Sequence, residues 1–166
     1  MVKNYDMSVR LSNIADAGDL MEIDALVWNE TTTPAPITWT SKEQYLQSYP
    51  PGSQLVAVLD GKVVGYVGYT HPTPLSTNKH VYDINIAVHP NYQGKGVGRR
   101  LIGVVKEFAS QNGIHKLSLR VLATNPKAIR LYESCGFQIQ GRLVQEFLLK
   151  GTYVDDILMW CPVDKS

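Results

Sequence analysis

The chain has 166 residues, 44% hydrophobic and 19% charged, with a formal net charge of +1. That length suits one domain with its own core, and the composition is ordinary for a soluble globular protein. The near-zero charge excludes a global field that would draw nucleic acid or an anionic membrane, so any anion must be held locally. MSVRLSN alternates and reads as a first strand. In DAGDLMEIDALVWNE, Leu20, Ile23, Leu26 and Val27 share one helical face, with Asp16 as the cap. TTTPAPITWT breaks regular structure with two prolines. Ser41 caps a short helix through KEQYLQSY, which PPG ends. QLVAVLDGKVVGYVGYT places two β-rich runs around Asp60-Gly61, a turn pair that accepts positive φ, and reads as a hairpin.

HPTPLSTNK is a proline-bearing loop, and HVYDINIAV is a strand ended by His89-Pro90. A glycine-rich stretch follows, then a helix through about Gln111 with Gly113 near its C-terminus. KLSLRVL is a strand. NPKAIRLYESCGF opens with Asn as N-cap and Pro at the first helical position, and stops at Gly136. FQIQGRLVQEFLL and TYVDDILMW are two final strands with Lys150-Gly151 at their turn. The order β α α β β β α β α β β mixes hairpins with crossovers, and the strands around 81–88 and 116–121 should run parallel. The expected class is α+β, a mixed three-layer α/β/α single domain over residues 1–166, not a doubly wound one.

The stretch NYQGKGVGRR carries Gly94, Gly96 and Gly98 at the mouth of a helix. A tight turn needs one glycine. Three in alternation strip Cβ atoms from one side of the loop, so another molecule can approach the backbone N–H groups. Those groups lie where the first helical donors lack partners and the macrodipole is positive, a setting that suits phosphate. Lys95, Arg99 and Arg100 add local positive charge. The spacing fails the P-loop, because Gly96 follows Lys95 where a magnesium-binding hydroxyl is needed. It also fails the dinucleotide fingerprint, being GxGxG with no acid at the end of the next strand.

INIAVHPNYQGKGVGRRLI resembles the acyl-CoA-binding motif of the GNAT superfamily of N-acetyltransferases, with Gln93, Gly96 and Gly98 on its Gln/Arg-x-x-Gly-x-Gly/Ala core. NPKAIRLYESCGF resembles the family's second signature, in the right order and about 30 residues on. The WNETTT region and the tail look most like the phosphinothricin-acetyltransferase-like enzymes. The resemblance implies a mostly antiparallel seven-stranded sheet with strands four and five parallel and splayed, and acetyl-CoA as cofactor. It implies pyrophosphate held by Gln93 and the N–H groups of Gly94, Lys95, Gly96, Val97, Gly98 and Arg99. The pantetheine arm would lie on the backbone of Ile86, Ala87 and Val88, with Asn125 beside it, and pairing should stop near Asn125 ahead of Pro126. A strand-four N–H near Val88 would stabilise the oxyanion.

Tyr132 matches the family's general acid in position, although by spacing alone it is equally an inner-face aromatic beside Ala128, Leu131 and Cys135. Asp83, seven residues before Pro90, stands where the phosphinothricin-type enzymes carry a catalytic glutamate, and is the candidate base; the alternative is a surface carboxylate. The family's other base position matches Arg120, which is not acidic. Trp28, Asn29, Glu30 and Trp39 would line the acceptor site, and Asp155 or Asp156 could meet an ammonium, or both could be solvated charges. The implied partner is a small-molecule amine, amino acid-like or polyamine-like. A protein N-terminus or lysine, or a non-catalytic acyl-CoA sensor, are the alternatives, and a homodimer through the last strands is common in similar proteins.

No metal is expected, since His71, His80 and His89 lack ligand spacing. Cys135 and Cys161 fit neither a metal motif nor a disulfide framework and are read as reduced, packed thiols. MVKNYDMSVR has no apolar leader core, and no run approaches the ~20 apolar residues of a membrane helix. Neither nucleic acid nor membrane is an expected partner, and the expected setting is the cytoplasm.

Overall fold

A computed structural model of the chain describes residues 6–164. The first residues of the stretch read as free of a leader lie outside that range. The elements are β1 (Met7–Leu11), α1 (Ala17–Val27), α2 (Lys42–Ser48), β2 (Gln54–Leu59), β3 (Lys62–Thr70), β4 (Val81–Val88), α3 (Val97–Gln111), β5 (Lys116–Leu122), α4 (Pro126–Ser134), β6 (Gln138–Leu149) and β7 (Thr152–Pro162). They follow the order read from the sequence. Both hairpin turns have positive φ at two successive residues, Asp60-Gly61 and Lys150-Gly151, as a two-residue primed turn requires.

One seven-stranded sheet runs β1-β2-β3-β4-β5-β7-β6. Every neighbouring pair is antiparallel except β4 and β5. Strand alternation sends Tyr82, Ile84, Ile86, Leu117, Leu119 and Ile157 to the layer that packs α3 and α4. Tyr66 and Ala87 face the opposite layer, where Leu20 and Ile23 of α1 and Tyr45 of α2 are buried. Gly65 lets α3 approach β3: a Cβ there would lie 3.0 Å from Val97 Cγ1 and 3.2 Å from Leu101 Cδ1.

Two local expectations are corrected. Asp16 does not cap α1. Asn13 caps a short 3-10 turn, its Oδ1 accepting from Ala15 N at 3.0 Å, while Asp16 accepts from Asn13 N at 2.8 Å and takes both arms of the Arg10 guanidinium at 2.7 and 2.9 Å. A bidentate arginine on β1 outcompetes the helix amides for that carboxylate. Leu26, placed on the core face of α1, is 45% exposed. It lies beside Val27 on the wall of the cleft described next.

Candidate acyl-CoA site

The site begins where β4 and β5 part. They pair over only three residues, Val81 with Lys116, Tyr82 with Leu117 and Asp83 with Ser118. β5 then follows β7 as far as Leu122, opposite Asp156. Pairing between β4 and β5 therefore ends well before Asn125, and Pro126 is not what stops it. Beyond Asp83, β4 has β3 on one side and no strand on the other. His89 N donates to Val64 O at 2.8 Å, and the β3–β4 register continues from there. Antiparallel alternation then commits the Ala87 backbone to β3 and turns the N–H groups of Ile86 and Val88 into the gap, while that of Ile84 belongs to the parallel ladder with β5. The Ala87 carbonyl oxygen, 3.0 Å from a Cβ built on Gly65, lies on the β3 side as this requires. Of the three β4 residues expected to carry the arm, Ile86 and Val88 offer free backbone and Ala87 offers only its flank.

The glycine loop lies at the same end. His89 Nδ1 accepts from Asn91 N at 3.1 Å, closing the turn that leads into it. Gly94 and Gly96 sit at φ 77° and 80°, the left-handed region that disfavours side chains, and a Cβ on either would meet nothing within 4 Å. α3 starts without a side-chain cap, and its first intrahelical bond is Arg100 N to Gly96 O at 3.0 Å. The N–H groups of Val97, Gly98 and Arg99 thus have no helical partner. Gly98 answers a different need, since a Cβ there would come within 3.0 Å of Leu131 Cδ2 on α4.

A cleft of about 580 Å³ joins these parts. Its lining includes Ile86, Ala87, Val88, Gln93, Gly94, Gly96, Val97, Gly98, Arg99, Asn125 and Tyr132, all expected from the sequence. Asn125 is both cap and wall: its Oδ1 accepts from Ala128 N at 3.3 Å while its residue lines the cleft. Tyr132 is 9% exposed, packs on Phe137 at 5.8 Å between ring centroids, and its hydroxyl has no hydrogen-bond partner among the described residues. Burial, with the Cys135 thiol nearby, pushes its phenol up to about 12.

Two expected residues stand apart from this wall. Lys95 lies outside the lining, its ammonium 5.1 Å from the centre of the Tyr92 ring. Asp83 is at the fork, on the face opposite α3 and α4, accepting from Ser118 Oγ at 3.2 Å. Burial raises its carboxyl above the usual aspartate range, against the Ser118 hydrogen bond and the Arg120 charge. Arg99 lines the cleft with its guanidinium turned to α4, 3.0 Å from Ser134 Oγ. Lys127, inside the second signature but not singled out there, lines the cleft and donates to Gln93 Oε1 at 3.2 Å.

Trp28, Asn29, Glu30 and Trp39 border a second hollow of about 570 Å³, and Asn29 also lines the cleft. Both indole N–H groups are already engaged. Trp39 Nε1 donates to Asp24 Oδ2 at 2.7 Å, Trp28 Nε1 donates to Tyr66 Oη at 2.8 Å, and Tyr66 Oη donates to Asp24 Oδ1 at 2.5 Å. Asp24 is 1% exposed, and burial raises its pKa against these three aromatic donors. The sequence carries no sign of this network, because Asp24 is one acid among several in an amphipathic helix. Glu30 pairs with Lys150. Asp155 pairs with Arg142 at 2.7 Å and Asp156 with Arg120 at 2.5 Å, so each last-strand acid already has a cation.

The family model of the GNAT acetyltransferases matches residues 20–137, which hold the glycine loop, the open edge of β4 and α4 with Tyr132. The chain belongs to this family. It is an acetyltransferase whose acyl donor is acetyl-CoA. The L-amino acid N-acyltransferase MnaT of Escherichia coli is 28% identical over 168 residues, 96% of this chain and 95% of that protein. The spermidine N(1)-acetyltransferase of Vibrio cholerae is 42% identical over 74 residues, 44% of this chain and 43% of that protein. The phosphinothricin acetyltransferase of Sinorhizobium meliloti, solved in complex with AcCoA, superposes with a TM-score of 0.83 at 21% identity, over 95% of this chain and 88% of that one. At that identity the likeness is one of fold. Among the described residues no three histidine, cysteine or acidic side chains could together hold a metal ion, and no helix is long and apolar enough to cross a membrane.

Proposed function

We propose that this GNAT domain, spanning residues 1–166, moves acetyl from acetyl-CoA to the primary amine of a small molecule, amino acid-like or polyamine-like, by direct attack. The observation that carries the proposal is the cleft. It links three unpartnered first-turn amides to the open edge of β4 and to a buried phenol with no partner among the described residues. Pyrophosphate binds at the N–H groups of Val97, Gly98 and Arg99, with Arg99 and Lys127 supplying local charge. The amide-bearing arm pairs with Ile86 and Val88 as an added strand would.

The amine nitrogen attacks the thioester carbon, and the Val88 N–H stabilises the oxyanion that forms. The carbon–sulfur bond then breaks and the thiolate takes a proton from Tyr132. A phenol near 12 is a weaker acid than an ordinary thiol at about 8.5, so Tyr132 acts first by hydrogen-bonding the departing sulfur. The same dry surroundings that raise the phenol raise the proton affinity of the thiolate. Asp83 accepts the proton the amine gives up. It lies three residues from Ile86, about 10 Å along the strand, so water carries that proton.

The chain works in the cytoplasm, where Cys135 and Cys161 stay reduced, and forms a homodimer through β6 and β7. Ile139, Val144, Leu148 and Tyr153 support the dimer, because each is more than half exposed on these strands. The deciding experiment is release of free CoA thiol from acetyl-CoA with a panel of amino acids, polyamines and short peptides. Release that depends on one small amine and is lost in Tyr132→Phe is the expected result. Release with peptides alone would mean a protein acetyltransferase, and none with any acceptor, despite tight acetyl-CoA binding, would mean a sensor.

A further inference from the structure

The floor of the sheet opposite α3 and α4 carries two opposite charges on either side of the fork. Asp83 ends the paired part of β4, with Ser118 of β5 as its cross-strand neighbour. Arg120 lies two residues further along β5, on the same face, and its charge acts on the Asp83 carboxyl. Arg120 is held from below: its Nε donates to Asp156 Oδ2 at 2.5 Å, and the Asp156 side chain is 5% exposed while that of Arg120 is 51% exposed. A buried carboxylate with one cation fixes that cation's direction. The Nη groups of Arg120 make no hydrogen bond to any described residue, and a guanidinium held by Nε presents them as a planar pair.

We infer that Arg120 is the residue that selects the acceptor, binding the carboxylate of an α-amino acid whose amino group points along β4 toward Val88 and passes its proton to Asp83 through water. The inference rests on the acetyl-transfer reading above and narrows its acceptor. Arg120 is one strand across and two residues along from Asp83, so the anchoring positions are roughly 8 Å apart. The carboxylate takes a charge-assisted contact of about 2.8 Å from the Arg120 Nη pair, and the gap leaves room for water between the amino group and Asp83. A polyamine has a cation at both ends and meets Arg120 as a like charge, which acts against it. Asp156 is a positioning residue that touches Arg120 and not the acceptor.

The test compares each L-amino acid with the amine left when its carboxylate is removed, methionine beside 3-(methylthio)propylamine and leucine beside isoamylamine, with spermidine alongside. The readout is the ratio of kcat/KM values for CoA release, in the wild type, R120Q and D156N, after circular dichroism shows that each is folded. The wild type is expected to favour the amino acid of each pair. In R120Q that ratio should fall by roughly 10- to 100-fold, the size of a lost charge-assisted hydrogen bond. D156N should lower it in the same direction, through KM and not kcat. An unchanged ratio in R120Q overturns the inference. So does a wild type that prefers spermidine or the decarboxylated amines, and that outcome leaves acetyl transfer standing. If no acceptor releases thiol, calorimetry of L-methionine and L-leucine against CoA-saturated protein decides: binding lost in R120Q supports the assignment, and no binding to the wild type overturns it.

Discussion

Tyr132 and Asp83 are both titratable, and burial moves both pKa values upward, with opposite consequences for what each can do. A phenol at about 12 stays protonated throughout the working range, so Tyr132 contributes no alkaline limb to the pH profile of kcat/KM below about pH 10. Tyr132→Phe removes only the hydroxyl and should lower kcat by roughly 100-fold or more, leaving acetyl-CoA affinity by calorimetry near the wild-type value. As the proposed base, Asp83 must be ionised to accept a proton, so its raised pKa should move the acid limb above the ordinary aspartate range. Ser118→Ala removes a hydrogen bond that lowers that pKa, and the limb should shift further up. A carboxyl whose folded pKa is raised contributes stability below its unfolded pKa and loses it as pH rises through the folded one. Asp83→Asn should therefore raise Tm at neutral pH while it lowers turnover; a fall in Tm, or an acid limb that stays in place, would take Asp83 out of the mechanism.

The glycines of the loop separate at the scale of elements. Gly96 is needed for its left-handed φ and for the open space above it, whereas Gly98 is needed for the approach of α4. Gly96→Ala places a side chain in the left-handed region at a cost of about 1–2 kcal/mol, and its methyl projects into the space proposed for pyrophosphate. Both Tm and acetyl-CoA affinity should fall. Gly98→Ala pushes on Leu131 instead, so the second-site change Leu131→Ala should recover affinity in the Gly98→Ala protein and should not recover it in the Gly96→Ala protein. Thermal melts with and without acetyl-CoA separate the two. The order of elements, the hairpin at Asp60-Gly61 and the cap at Asn125 are local features and were legible. The failure of Asp16 as a cap was not, because its partner is Arg10, which reaches it across the turn between β1 and α1.

A net charge of +1 means that no long-range field assists the cofactor, so its binding should depend on the few cations beside the loop. Acetyl-CoA affinity should fall as ionic strength rises, and Lys127→Ala should flatten that dependence; an affinity independent of salt would remove electrostatics from the account. Ligand that binds only the folded state stabilises it by mass action, about 2.7 kcal/mol at a hundredfold excess over Kd. CoA should accordingly raise Tm in a concentration-dependent way. In solution, light scattering should report twice the chain mass, and Leu148→Glu on the exposed side of β6 should return it to one.

What the sequence determined by itself was whatever depends on neighbours along the chain. Turn chemistry, helix starts, strand alternation and the glycine loop involve groups a few residues apart, and the two motifs placed most of the cleft lining. Only the tertiary structure decided which of those groups stand free. Ala87 is spent on β3 while Ile86 and Val88 are open, because register with another strand sets which amides point into the gap. Asp24 became the centre of an aromatic network, Lys127 joined the cleft, Lys95 left it, and Arg120 was fixed by Asp156, because contacts between residues many positions apart depend on how strands and helices are laid side by side. Local patterns say what a residue can do, and packing across the sheet decides whether it is left free to do it.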